Sequence, residues 1–113
     1  GKVVAEVHTY SLGIECFTHL FGDTTICVHP DYQGKGLGRS VFSALLDYVR
    51  QERKDILRVE LHARESNAAA IELYKKLGFC VEGRAVGRVL DPDGRIVADV
   101  PMGWLNPNFV QGR

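Results

Sequence analysis

Nothing in this chain approaches the ~20 consecutive apolar residues of a membrane-spanning helix, and no export signal opens it. Cysteine is scarce: Cys16, Cys27 and Cys80 are too few and too scattered for a disulfide framework, and their odd number leaves one unpaired. Cys16-x-x-His19 and Cys27-x-His29 match no familiar zinc spacing, so no metal is expected. Neither sign of charge prevails, with 14 Lys+Arg against 14 Asp+Glu, so no net field draws the chain to nucleic acid or to an anionic membrane. Internal repeats, low-complexity stretches and linkers are also lacking. These absences lead us to expect one domain over residues 1–113, in a reducing, cytoplasmic setting. A chain of that length buries roughly 65% of its unfolded surface, enough for one core.

What the chain does have is centred on Ile26-Cys27-Val28-His29-Pro30-Asp31-Tyr32-Gln33-Gly34-Lys35-Gly36-Leu37-Gly38-Arg39-Ser40. Residues 24–28 read as a strand that stops at Pro30, which has no N–H to give a sheet. Glycines then stand at every second position, and a helix-period pattern follows. Such a turn lets backbone approach a ligand and aims helix N-terminal N–H groups at it, while Lys35 and Arg39 add positive charge. The stretch reads as a phosphate or pyrophosphate cradle. Its spacing is neither that of a P-loop nor that of the dinucleotide fingerprint, whose sixth position falls on Arg39 or Val41.

Around this centre the elements follow in order. Residues 2–10 form a β-rich run, 11–15 a turn, and 17–28 a second strand bulged or interrupted at Gly22-Asp23. Leu37, Val41, Leu45, Tyr48 and Val49 make the apolar stripe of a helix over 37–53. Residues 56–63 alternate as a strand, with Ile56, Arg58, Glu60 and His62 on one face and Leu57, Val59, Leu61 and Ala63 on the other. Strand, helix and strand predict a right-handed βαβ unit with parallel strands. Ser66 is expected to cap a second helix that ends at Gly78, with Ala70, Leu73 and Leu77 toward the core. Residues 79–90 then turn through Asp91-Pro92-Asp93-Gly94 into a strand with Ile96, Ala98, Val100, Met102 and Trp104 on one face. Pro101 inside it predicts a bulge or an exposed edge, and the tail from Asn106 reads as loop.

Gln33-x-x-Gly36-x-Gly38, after a strand ending in Val-x-Pro, resembles the coenzyme A loop of the GNAT superfamily of N-acetyltransferases. Asn67-Ala-Ala-Ala-Ile-Glu-Leu-Tyr74-Lys-Lys-Leu-Gly78-Phe79 resembles the second signature of the same family. The resemblance covers residues 2–104. It implies an α/β fold: a mixed, mostly antiparallel sheet with a central parallel β-α-β unit and flanking helices. The first strand and helices usual in the family are missing, so the chain is expected to be N-terminally short. Acetyl-CoA is the implied cosubstrate, and direct transfer to a primary amine the implied reaction. The closing hairpin looks like members acting on amino-acid-like amines or protein N-termini. The alternative is a coenzyme-binding module without turnover.

The resemblance also implies roles. Ile26, Cys27 and Val28 pair with the pantetheine arm, and the Val28 N–H can serve the oxyanion. Gln33, Gly34, Lys35, Gly36, Leu37, Gly38 and Arg39 surround the pyrophosphate, and Asn67 holds the pantetheine. Tyr74 stands near the sulfur as the acid for the leaving thiolate. Plainer readings are a half-buried helix tyrosine for Tyr74 and a second cap beside Ser66 for Asn67. Glu60, His62 and Asp23 are each available as base, and spacing selects none of them. The apolar run Val3-Val4-Ala5-Glu6-Val7 would leave an open edge, which predicts a homodimer.

Overall fold

The computed structural model describes residues 5–111. Residues 2–4 of the expected first strand, including the Val3-Val4 edge, lie outside the described residues. Strand β1 (Ala5–Tyr10) runs antiparallel to β2 (Leu20–Val28), and helix α1 (Leu37–Glu52) leads to β3 (Arg58–Arg64). Helix α2 (Ala68–Lys76) is followed by the short β4 (Cys80–Val81), then β5 (Ala85–Leu90) and β6 (Ile96–Leu105). The sheet order is β1-β2-β3-β6-β4, with β5 also on β6. This is the mixed, mostly antiparallel sheet expected, and among the described residues its one parallel contact is β2 with β3.

That parallel contact is brief. It consists of Leu20↔Arg58 and Phe21↔Val59, after which β2 continues along β1 while β3 continues along β6 as far as Arg64↔Asp99. The strands therefore diverge toward their carboxyl ends. A bulge marks the departure: the β1–β2 register shifts between His8 and Tyr10, and Asp23 takes φ 51°. Strand β2 begins later than expected, because Phe17 belongs to a 3-10 turn over Glu15–Phe17.

Both helices pack on one face of the sheet. The buried stripe of α1 is Phe42, Leu46 and Val49; of the expected stripe Val49 belongs to it and Leu45 packs half-buried against it, while Tyr48 is 48% exposed. Val41-Phe42, Leu45-Leu46 and Tyr48-Val49 offer two adjacent apolar stripes, and sheet contact chooses between them. Val59, Leu61 and Ala63 of β3 meet Val100, Met102 and Trp104 of β6 beneath. Each large side chain so buried stabilises the fold by about 1.5–3 kcal/mol. Ile56 is buried as well, since it precedes β3 and escapes the strand's alternation.

Three further expectations are corrected, while the tail is the loop expected and Asn106 anchors its start. Asn67, not Ser66, caps α2: its Oδ1 accepts the Ala70 N–H at 3.2 Å, while Ser66 sits one residue too early. Pro101 is at neither a bulge nor an edge. It lies inside β6, and its carbonyl accepts from Glu82 N–H where β4 has ended and β5 has not begun, so its missing N–H faces an interruption in pairing. Ile96 is exposed at the hairpin end rather than on the core face. Asn106 is 3% exposed and works as a clasp, its Nδ2 donating to the carbonyls of Val49 (3.2 Å) and Ile56 (3.0 Å). The end of α2 matches expectation. Gly78 (φ 103°) follows the last turn, Phe79 N–H donates to Tyr74 C=O at 2.9 Å and Gly78 N–H to Lys75 C=O at 3.0 Å.

Candidate functional site

Beyond β2 a 3-10 turn over Pro30–Tyr32, closed by Tyr32 N–H donating to His29 C=O at 2.8 Å, swings the chain into the glycine loop. Gly34 (φ 81°) and Gly36 (φ 76°) take left-handed conformations, and a Cβ on either would meet nothing within 4 Å. Glycine is thus needed here for backbone shape, which presents a concave run of amides, and not for want of room. Gly36 precedes α1, and its carbonyl accepts the Ser40 N–H, the first bond of the helix, at 3.0 Å. The N–H groups of Leu37, Gly38 and Arg39 lie ahead of that bond and face outward with the positive end of the helix dipole.

A cleft of ≈ 770 Å³ lies between this loop and α2. Gln33, Gly34, Gly36, Leu37, Gly38 and Arg39 line it from the loop side. Ala69, Ala70, Leu73 and Lys76 of α2 form the opposite wall, together with Glu72. Sequence reading missed that wall, although the run Ala68-Ala69-Ala70 signals a helix face with nothing bulky to hold a ligand away. Arg39 and Lys76 supply cationic groups from the two sides. Glycine backbone, helix N-terminus and facing cations together fit a diphosphate with an attached chain. Lys35 does not line the cleft; its Nζ lies 5.5 Å from the Tyr32 ring centroid, in cation–π range.

The other expected residues are placed differently. Ile26, Cys27 and Val28 pair with Val7, Glu6 and Ala5 of β1 on one side. On the other side the β2–β3 ladder has already ended at Phe21↔Val59, so alternate backbone groups of residues 22–28 point into the gap between the strands. Asn67 lines a second cleft of ≈ 390 Å³ with Arg64, Ser66 and Asp91–Asp93. Tyr74 is 9% exposed, its ring 5.4 Å from that of Phe42 and 6.0 Å from that of Phe79. Burial pushes its phenol above the ordinary tyrosine value, so at neutral pH it is a proton donor and not a phenolate. The structure thus gathers the glycine loop with α2 and keeps Tyr74 within the helix-side core.

Residues 6–79 match the model of the Acetyltransferase (GNAT) family. Over 54 residues, 48% of this chain and 35% of the relative, the chain is 48% identical to the [Ribosomal protein bS18]-alanine N-acetyltransferase of Escherichia coli K12. It is 38% identical over 73 residues to an L-amino acid N-acyltransferase of the same organism, covering 59% of this chain and 41% of that one. Among solved structures, Salmonella typhimurium yncA with its cofactor acetyl-CoA superposes with TM-score 0.86 at 26% identity, over 100% of this chain and 64% of that one. The Escherichia coli ribosomal-protein-S18-alanine N-acetyltransferase gives TM-score 0.82 at 31% identity, over 100% and 66%. The chain therefore spans well under half the length of these curated relatives and about two thirds of these structures. With a family match across the glycine loop, α1, β3 and α2, the chain belongs to the acetyltransferase (GNAT) family.

Proposed function

We propose that this chain binds acetyl-CoA and transfers its acetyl group directly to a primary amine. The observation that carries this reading is the pairing of a glycine cradle at the start of α1 with a gap between β2 and β3. The cradle suits the diphosphate, and the open polar edge of residues 22–28 suits the amide-bearing arm of the same coenzyme. Ile26, Cys27 and Val28 pair with that arm, and the Val28 N–H serves the oxyanion formed as the amine attacks. Gln33, Gly34, Gly36, Leu37, Gly38 and Arg39 hold the diphosphate, and Asn67 steadies the pantetheine while capping α2. Tyr74 protonates the departing thiolate. A thiol titrates at roughly 8.5 and tyrosine at roughly 10, and burial raises the phenol of Tyr74 further, so it meets the departing thiolate protonated and serves it as a hydrogen-bond and proton donor.

The acceptor is an amino-acid-like amine or a protein N-terminus, the classes named for the similar bacterial enzymes. A second copy of the chain pairs along the outer edge of β1, which among the described residues bonds only to β2. The cytoplasm, where acetyl-CoA is available and exposed thiols such as Cys16 and Cys80 stay reduced, is the working compartment.

The enclosure of Tyr74 by Phe42 and Phe79 favours a second reading, coenzyme binding without turnover. A panel of amino acids, peptides and polyamines, read by thiol release from acetyl-CoA and by mass of the product, separates the two. We expect transfer to at least one amine, and a drop of roughly 10²–10⁴-fold in turnover for Tyr74→Phe with acetyl-CoA affinity by calorimetry unchanged. Binding without any acetylated product leaves the module reading, and absence of binding removes both.

A further inference from the structure

We propose that His62 is the base that deprotonates the acceptor amine and that the buried carboxylate of Asp99 holds its imidazole for the task. The inference rests on the acetyl-transfer reading above and assigns the proton acceptor which that reading lacks. His62 Nδ1 lies 3.1 Å from Asp99 Oδ2. The two come from different strands: His62 is on β3 opposite Pro101, and Asp99 is two residues back along β6. The Asp99 side chain is 6% exposed while that of His62 is 51% exposed. A buried anion thus lies against one nitrogen of a half-exposed ring. With its proton on Nδ1, beside that carboxylate, the ring keeps the Nε2 lone pair for the amine.

Position agrees with this chemistry. The last β2–β3 bridge is Phe21↔Val59, and His62 stands three residues further along β3, about 10 Å into the stretch where the strands have parted. It occupies the face away from the helices, whereas Tyr74 belongs to the helix-side cluster. Base and acid therefore stand on opposite faces of the sheet. Neither rival is as well placed. The Glu60 carboxylate is occupied, its Oε2 accepting from Arg58 Nε at 2.8 Å. Asp23 is exposed at the bulge, where among the described residues no side chain orients it.

The charged groups near His62 are Asp99 from β6, Arg88 from β5 (bonded to the same Asp99 oxygen), and Glu60 and Arg64 two residues away on the same face of its own strand. The acceptor enters as an ammonium and gives one proton to Nε2. The freed lone pair attacks the thioester carbonyl, forming the C–N bond. The C–S bond then breaks, the thiolate takes a proton from Tyr74, and the second proton, lost from the nitrogen as the amide forms, passes through water to restore the Tyr74 phenol. The imidazolium passes its proton to water, so the products are amide, thiol and one proton.

The test compares His62→Gln and Asp99→Asn with the unaltered chain, using the best amine of the panel from pH 6 to 10. For His62→Gln we expect kcat/KM to fall roughly 10²–10⁴-fold at neutral pH. The deficit should narrow at high pH, where the amine arrives already deprotonated, and calorimetric affinity for acetyl-CoA should stay the same. Asp99→Asn should lose roughly 10–100-fold. Should that variant fail to fold, 15N shifts of the His62 ring in the unaltered chain carry the same information, and we expect the Nδ1–H tautomer. Undiminished kcat/KM in His62→Gln, a deficit equal at every pH, or an Nε2–H ring overturns the proposal. No transfer by the unaltered chain removes the acetyl-transfer reading itself, whereas equal transfer by it and by His62→Gln removes only this one.

Discussion

On the helix side, the β3–β6 pair presents Val59, Leu61 and Ala63 beside Trp104, Met102 and Val100, sealed under Phe42, Leu46 and Tyr74. On its other side the same two strands present Arg58, Glu60, His62 and Arg64 beside Leu105, Gly103, Pro101 and Asp99. The first face is held by non-directional burial, which tolerates any neighbour of suitable size. The second is held by charge pairs whose partners are specific: Arg58 reaches Glu60 and Glu82, Arg84 reaches Glu65, and Asp99 receives both Arg88 and His62. Arg58 gets to Glu82 only by crossing Gly103, where an added Cβ would stand 2.4 Å from the guanidinium. One face accounts for most of the stability. The other sets the positions of polar groups at the price of little stabilisation per pair.

The largest effect belongs to the apolar face. Phe42 is fully buried, and Phe42→Ala should cost about 3–5 kcal/mol by urea unfolding, a loss that added salt does not relieve. A loss below about 1 kcal/mol would mean that the helix-side core is not the main support. On the polar face, Arg58→Met removes a partly exposed cation from two carboxylates and should cost only about 1–2 kcal/mol at low ionic strength. That cost should shrink in 1 M NaCl; if it persists, the pairs are less screened than their exposure implies.

The smallest effect is one of pH. Hydrogen bonds from Arg58 and Arg84 hold the carboxyls of Glu82 and Glu65 below the ordinary glutamate value. A carboxyl lowered in the folded state contributes stability above its unfolded value, near about 4.3, and loses it as pH falls through the folded one. Unfolding free energy should therefore be level from pH 7 to 5 and decline below about 4.5, less steeply in Arg58→Met. An identical acid slope in that variant would separate Glu82 from its assigned partner.

Much of the helix-side face was legible because its information is local. The alternation of Val59, Leu61 and Ala63, the glycine after α2 and the Asp91–Gly94 turn each lie within a short window, and the structure keeps them. Where two local answers competed, as between the Val41 and Phe42 stripes of α1, the window could not choose. The glycine loop was legible for a related reason: left-handed backbone at Gly34 and Gly36 is a demand that sequence states directly.

The sequence by itself determined the order of elements, the glycine-rich turn into α1 and the face of β3 that turns inward, since propensity, periodicity and glycine geometry act over a few residues. Only the tertiary structure decided that β2 and β3 part after Phe21 and that Asn67 rather than Ser66 caps α2. It alone drew Asn106 against the end of α1 and set Asp99 against His62 from 37 positions away. Those outcomes depend on which strands become neighbours and in what register. Register is fixed by the summed burial of whole faces, and no short window contains it.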